Sequence, residues 1–295
     1  MAKSNRAEAA TKAAAMRAEA ARKDRQRKQL ISAGVAVVVV IIAVAVGVVI
    51  SNRPKAPASD GNSAAAASIA KLATVPASAF DAAGVPTESN AIPEKIPDGK
   101  VLMDGTKPKL AYVGAEFCPY CATERWSLVA ALERFGDFTG LTETQSAQNE
   151  GDIPTVSFVG STYKSDHISF QAVETQDRDH KPLEQMPADL DELFKKYNAP
   201  PYVPEQSAGA IPWMFYGTHQ TVGSGVPVQP FTNLTQDSAW TTIVDQMMTG
   251  KGDYGQPIMA NANAITAQIC QLTKGEPADV CTSPAVVKTT PLLKQ

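Results

Sequence analysis

One stretch of the chain is uniformly apolar, whereas the rest mixes apolar and polar positions. It runs from Leu30 to Ile50 without a charged residue, and an α-helix needs about 20 such residues to cross a membrane. Nine Lys and Arg residues precede it against three acidic ones. Because cytoplasmic flanks carry such a basic excess, we predict a single-pass cell-membrane protein. Residues 1–29 are the basic cytoplasmic tail, 30–50 the transmembrane helix, and the bulk of the chain lies outside the cytoplasm.

A cleaved signal peptide is the alternative to this anchor. Its apolar region would span only about 7–15 residues and a small-residue cleavage site would follow closely, so the longer stretch favours an uncleaved helix. Residues 51–68 are rich in Pro, Ser and Ala without apolar periodicity, a composition that predicts a flexible tether.

The remaining pattern alternates between strand and helix periods, which predicts an α/β domain over residues 69–250 and a C-terminal helical extension over 251–295. Trp126, Trp213 and Trp240 are expected to be core or groove aromatics, and Glu124 and Arg125 to lie on a solvated helix face. The predicted strands are KLAYVGAEF, TVSFVGS, HISFQAVE and the two arms of IPWMFYGTHQTVGSG; the predicted helices are ATERWSLVAALERF, PADLDELFKKY, SAWTTIVDQMMTG and ANAITAQIC.

Composition excludes several classes of protein. The 295 residues are 44% hydrophobic and 19% charged, values typical of a globular protein and not of a disordered or multi-span one. The net charge of -3 combines a basic start with an acidic remainder, so the charge indicates topology and no nucleic-acid partner. We find no phosphate-binding glycine loop, Ser/His/Asp signature or dinucleotide fingerprint, and we expect no cofactor.

Four cysteines form two close pairs, Cys118 with Cys121 and Cys270 with Cys281, and all four follow the apolar stretch. Outside the cytoplasm, disulfides can form and persist. Two residues separate Cys118 from Cys121, between a predicted strand and a predicted helix. A helix N-terminus stabilises a thiolate, and a second sulfur one turn later can displace a mixed disulfide. Cys118 is therefore the predicted nucleophile and Cys121 the resolving thiol.

The sequence AEFCPYC resembles the thioredoxin superfamily, whose Cys-x-x-Cys motif follows an aromatic residue, here Phe117. Pro119 and Tyr120 form the dipeptide that glutaredoxins use. The resemblance implies a thioredoxin-like fold, a central mixed sheet flanked by helices. It also implies a cis-proline facing the motif at the start of a strand. Pro212 is similar in place and chain order, and Pro154 is the rival.

A narrower resemblance covers most of the chain after Ile69. The stretches YVGAEFCPYCATERWSLVAALERFG, TVSFVGSTYKSDHISF and ICQLTKGEPADVC are similar to an uncharacterised actinobacterial family of membrane-anchored thioredoxin-like proteins, a domain of unknown function. Because that family has no assigned substrate, this resemblance implies fold and compartment more than a biological role.

Two roles remain open from the sequence. Cys270 and Cys281 could form a structural disulfide, contributing about 3 kcal/mol on the loop-entropy model, or a relay that exchanges with the first pair. Glu116 could assist proton transfer, but we expect it to be an exposed carboxylate at the end of a strand.

Together these features predict an extracytoplasmic thiol-disulfide oxidoreductase, which exchanges disulfides with secreted or membrane client proteins and with an unidentified redox partner. One alternative is a non-catalytic binding or assembly module. The other is a copper- or zinc-handling protein, which we disfavour because no His stands near a cysteine in sequence and the second pair lacks zinc-ribbon spacing. We expect no metal.

Overall fold

The computed structural model of the protein describes residues 64–234 and 236–293. The predicted tail, 1–29, and transmembrane helix, 30–50, lie outside the described residues. Within the described residues, no helix is both long enough and apolar enough to cross a membrane. The predicted tether, 51–68, overlaps the description only at its end, and there a helix has already begun. The residues Ala64–Leu72 of that helix pack Ala65, Ile69 and Leu72 on the core.

The described part of the chain forms eight α-helices. They are α1 (Ala64–Leu72), α2 (Ala77–Ala83), α3 (Pro119–Leu132), α4 (Ala188–Tyr197), α5 (Gln236–Met247), α6 (Gly252–Leu272), α7 (Ala278–Cys281) and α8 (Pro284–Thr289).

The same residues form ten strands. They are β1 (Glu94–Lys95), β2 (Leu102–Asp104), β3 (Lys107–Gly114), β4 (Gly136–Thr139), β5 (Thr142–Gln145), β6 (Pro154–Ser157), β7 (Thr162–Ser165), β8 (Ser169–Glu174), β9 (Trp213–Phe215) and β10 (His219–Val222).

The main sheet of the described residues is mixed and has six strands. Its order is β1-β10-β9-β3-β2, and β8 also pairs with β3. The β3–β8 pairing is parallel, whereas β3 is antiparallel to both β9 and β2. The hairpins β4–β7 and β5–β6 form two small separate sheets.

Helices cover both faces of this sheet, which explains why β3 is apolar at consecutive positions. Leu110 and Tyr112 face one core, which also contains residues of α3, α5 and α6. Ala111 and Val113 face the opposite core, which is closed by α4. The predicted α/β class is confirmed. All three tryptophans are buried as predicted.

Helix α6, which lies in the predicted extension over 251–295, is part of the central packing. It lies against α3 and α5, and fourteen of its residues are buried. The division of the chain at residue 250 stays a prediction.

Candidate active site

The Cys118–Cys121 motif lies where β3 passes into α3. Cys118 is the N-cap of α3, with extended backbone angles, and Pro119 is the first helical residue. Proline suits this position because its missing N–H would have no partner there. The backbone N–H of Cys121 donates to Cys118 Sγ at 3.3 Å, as it would to a capping Ser or Asp oxygen. Cys118 thus uses its sulfur to cap the helix.

The two sulfurs occupy different environments. Both are free thiols; Cys118 retains 5% exposure and Cys121 none. The hydrogen bond from the Cys121 thiol, aided by the backbone donors of Cys121 and Tyr120, lowers the pKa of Cys118. Burial raises the pKa of Cys121 well above its usual value, and its bond to Cys118 adds to this effect. The less buried sulfur is therefore the better thiolate.

Pro212 lies beside this pair. The Cys118 thiol contacts the Ile211 carbonyl oxygen at 3.8 Å, and the Ile211–Pro212 peptide is cis. The rival, Pro154, opens β6, where its carbonyl accepts a hydrogen bond from the indole of Trp126 at 3.0 Å. Of the two prolines, the structure brings Pro212 to the motif.

The outer rim of the motif is aromatic. Tyr120 is 52% exposed, and Phe117 is half-buried beneath the exposed ring of His180, with ring centroids 4.1 Å apart. His180 has a φ of 62°, in the left-handed region that few non-glycine residues adopt. It comes from the loop after β8, and no local sequence pattern indicated its place here.

A buried ion pair lies beneath the motif. Arg125 Nε and Nη2 donate to the two carboxylate oxygens of Glu174, each at 2.7 Å, and Nη2 also donates to the Ala115 carbonyl at 2.8 Å. Both side chains are fully buried. Burial opposes the guanidinium charge, but Glu174, with smaller contributions from Tyr112 and Cys121, holds the pKa of Arg125 well above its usual value.

The prediction that Arg125 and Glu124 lie on a solvated helix face is wrong. Glu124 is 2% exposed and Arg125 is completely enclosed, because Asn261 of α6 contacts Glu124 and Glu174 of β8 contacts Arg125. The positive charge of Arg125 contributes to lowering the pKa of Cys118. These residues are therefore part of the surroundings of the site.

Glu116 is half-buried and already engaged. Its carboxylate accepts a hydrogen bond from Ser157 Oγ at 2.6 Å, and its backbone N–H donates to the Gln176 carbonyl at 2.9 Å. The expectation of an exposed strand-end carboxylate is therefore wrong, because β6 and the end of β8 close around it.

The second cysteine pair is bonded and lies at the opposite end of α3. Cys270 and Cys281 form a disulfide. Arg134, just beyond the last turn of α3, donates to Val280 O at 3.4 Å and Ser283 Oγ at 2.9 Å. Cys118 is at the first turn, and 14 residues of helix separate the two ends by about 20 Å. The disulfide is therefore outside direct reach of Cys118.

Fold and site define a mixed α/β domain with a Cys-x-x-Cys pair at the N-terminus of a buried helix. In the described residues, no three His, Cys, Asp or Glu side chains are grouped so that they could hold a metal ion.

Comparison with known proteins adds one assignment. A family model described as a domain of unknown function (DUF929) matches residues 98–271, so the chain belongs to this family. No curated protein and no solved structure was found to match the chain.

Proposed function

We propose that this protein is a thiol-disulfide oxidoreductase of thioredoxin-like fold, and that Cys118 and Cys121 carry the exchange. The observation that supports this most strongly is the pairing of the two sulfurs at one helix N-terminus. The hydrogen bond from Cys121 N–H to Cys118 Sγ and the opposite pKa directions support an attacking role for Cys118 and a resolving role for Cys121.

The proposed exchange has two steps. The Cys118 thiolate attacks one sulfur of a client disulfide, a Cys118–client bond forms, and the other client sulfur leaves as a thiolate. Cys121 then loses its proton and attacks Cys118 Sγ, which releases the second client thiolate and leaves a Cys118–Cys121 disulfide. The client gains two electrons and the protein loses two. The reverse steps oxidise a client dithiol.

The chain order supports the thioredoxin-like part of the proposal. The motif helix α3 follows β3, and β3 pairs in parallel with β8 and antiparallel with β9. Ile211 and Pro212 directly precede β9. This is the placement that the family resemblance implies for the proline that faces the motif.

The proposed compartment rests on the sequence. Residues 30–50 would anchor the protein in the cell membrane, and the basic segment before them would keep the N-terminus in the cytoplasm. The domain would then meet secreted or membrane clients, and a second dithiol or disulfide protein would restore Cys118 and Cys121.

A trapping experiment tests the chemistry. In the Cys121→Ser variant, a mixed disulfide at Cys118 cannot be resolved, so adducts with extracytoplasmic proteins should accumulate on non-reducing gels and disappear with dithiothreitol. Cys118→Ser is the matched control and should form none. Absence of adducts with Cys121→Ser would contradict the proposal. Stoichiometric zinc or copper bound by both cysteines would favour the metal-handling alternative instead.

A further inference from the structure

Glu124 is a buried carboxylate. Among the described residues, no Lys, Arg or His side chain forms an ion pair with it. One of its oxygens, Oε2, accepts from Asn261 Nδ2 at 2.9 Å, Gly225 N at 3.0 Å and Ser224 Oγ at 3.1 Å. Burial raises its pKa, and these donors oppose that rise. Burying a carboxyl group in the core costs free energy that an apolar side chain of similar size would avoid. We therefore examine what the hydrogen bonds of Glu124 hold in place.

The donors belong to the segment 223–226, which follows β10, and to α6. Ser224 and Asn261 are buried, and Thr123 Oγ1 on α3 lies 3.0 Å from Ser224 Oγ. Gly225 fits tightly, since a Cβ there would lie 2.2 Å from the side-chain oxygen of Asn261. The segment is therefore held against the second turn of α3.

The same segment supports the residues that face Cys118. Gly223 N donates to Pro212 O at 2.9 Å, and Ile211 O contacts Cys118 Sγ at 3.8 Å. A continuous path of hydrogen bonds and short backbone links thus runs from Glu124 through the segment 223–226 to Ile211 and Pro212. Both ends of this path reach α3, one at the motif and one a turn later.

We propose that Glu124 is a positioning residue for disulfide exchange, which fixes the Ile211–Pro212 segment at the distance from Cys118 that a client chain requires. This inference rests on the proposed function and adds a residue to it. Glu124 acts through its hydrogen bonds and not through contact with the reacting sulfurs. Loss of Glu124 should therefore affect reactions in which a client lies on Ile211 and Pro212, and leave the intrinsic reactivity of Cys118 unchanged.

Two single-turnover reactions of the full-length protein, with Cys118 and Cys121 reduced and the Cys270–Cys281 disulfide intact, separate these effects. The first is reduction of a disulfide-linked dimer of a ten-residue peptide, which must lie along the site. The second is alkylation of Cys118 by iodoacetamide, a small probe that needs only the thiolate. In Glu124→Ala we expect the peptide rate to fall by about tenfold, as for loss of hydrogen bonds to a charged group, and the alkylation rate to change by less than about twofold.

Three further variants make the test specific. Glu124→Gln keeps an acceptor oxygen and should stay within about threefold of wild type in both reactions. Ser224→Ala removes one donor and should slow the peptide reaction by about threefold, which provides a milder test if Glu124→Ala does not fold. Glu133→Ala, whose carboxylate accepts from Phe138 N at the far end of α3, is the matched control and should change neither rate.

Three outcomes would overturn the inference: equal loss of both rates in folded Glu124→Ala or Ser224→Ala, an unchanged peptide rate, or a Glu124→Gln variant as slow as Glu124→Ala. Failure of the proposed function looks different, because the wild-type protein itself would then not reduce the peptide.

Discussion

The two cysteine pairs lie near opposite ends of helix α3, and they differ in bonding, in helix capping and in nearby charge. At the first turn, Cys118 and Cys121 are free, one sulfur caps the helix, and a buried guanidinium lies nearby. Just beyond the last turn, Arg134 donates to Val280 of α7 and to Ser283, on either side of Cys281, which is bonded to Cys270. The comparison teaches that the helix terminus and its charges, more than the cysteines themselves, distinguish the proposed reactive pair from a structural one.

The largest effect on stability is expected from removing the Arg125 charge beneath Cys118 and Cys121. Arg125→Met leaves the fully buried Glu174 carboxylate without its partner, and breaking a buried pair in this way costs about 3–5 kcal/mol. The free energy of unfolding in urea should fall by that amount. The double variant Arg125→Met/Glu174→Met should recover most of the loss, because no unpaired charge is then buried. A single variant as stable as wild type would show that the pair does not support this end of the helix.

A smaller loss of stability is expected at the other end. Cys270→Ser/Cys281→Ser removes a disulfide between residues 11 apart, which should lower the free energy of unfolding by about 3 kcal/mol. The rate at which Cys118 reduces a disulfide peptide should be unchanged, since the bond lies about 20 Å away. A substantial loss of that rate at a temperature where the variant is folded would contradict a purely structural role for Cys270–Cys281. It would favour the relay, in which this pair exchanges with Cys118 and Cys121.

Much of this contrast could be predicted from the sequence, because it depends on local patterns. A short apolar run, two cysteines three positions apart and a helical period predicted the strand, the motif and α3. The buried roles of Glu124 and Arg125 could not be predicted. Their helical period marks only one apolar face, and the partners that bury the other positions, Glu174 on β8 and Asn261 on α6, come from much later in the chain.

The distance between the two cysteine pairs could not be predicted from the sequence either. Chain order does not indicate that the loop after α6 returns to the C-terminal end of α3. His180 was missed for the same reason: its stacking on Phe117 depends on how the loop after β8 folds back. The proposed chemistry of the motif therefore rests on local sequence, whereas its electrostatic surroundings depend on long-range contacts.

The smallest effect is a shift in the pH dependence of Cys118. Its pKa is lowered from the ordinary 9.0, mainly by the hydrogen bond from the Cys121 thiol, so the thiolate persists below that pH. Alkylation by iodoacetamide should rise with pH to a midpoint below 9.0. Cys121→Ala removes the donor and should move the midpoint upward, whereas Cys121→Ser retains a hydroxyl donor and should move it less. A midpoint unaffected by Cys121→Ala would contradict the assigned cause.

The most direct test of the account is the reduction potential of Cys118–Cys121, measured with Cys270–Cys281 as the internal reference. The protein would be equilibrated with defined dithiol–disulfide buffers, alkylated, and analysed by mass spectrometry of the peptides that carry each pair. We predict a potential above about −300 mV for Cys118–Cys121, in the range of exchange-active disulfides, and one below about −300 mV for Cys270–Cys281. A Cys118–Cys121 disulfide as resistant to reduction as the second pair would contradict its role in exchange.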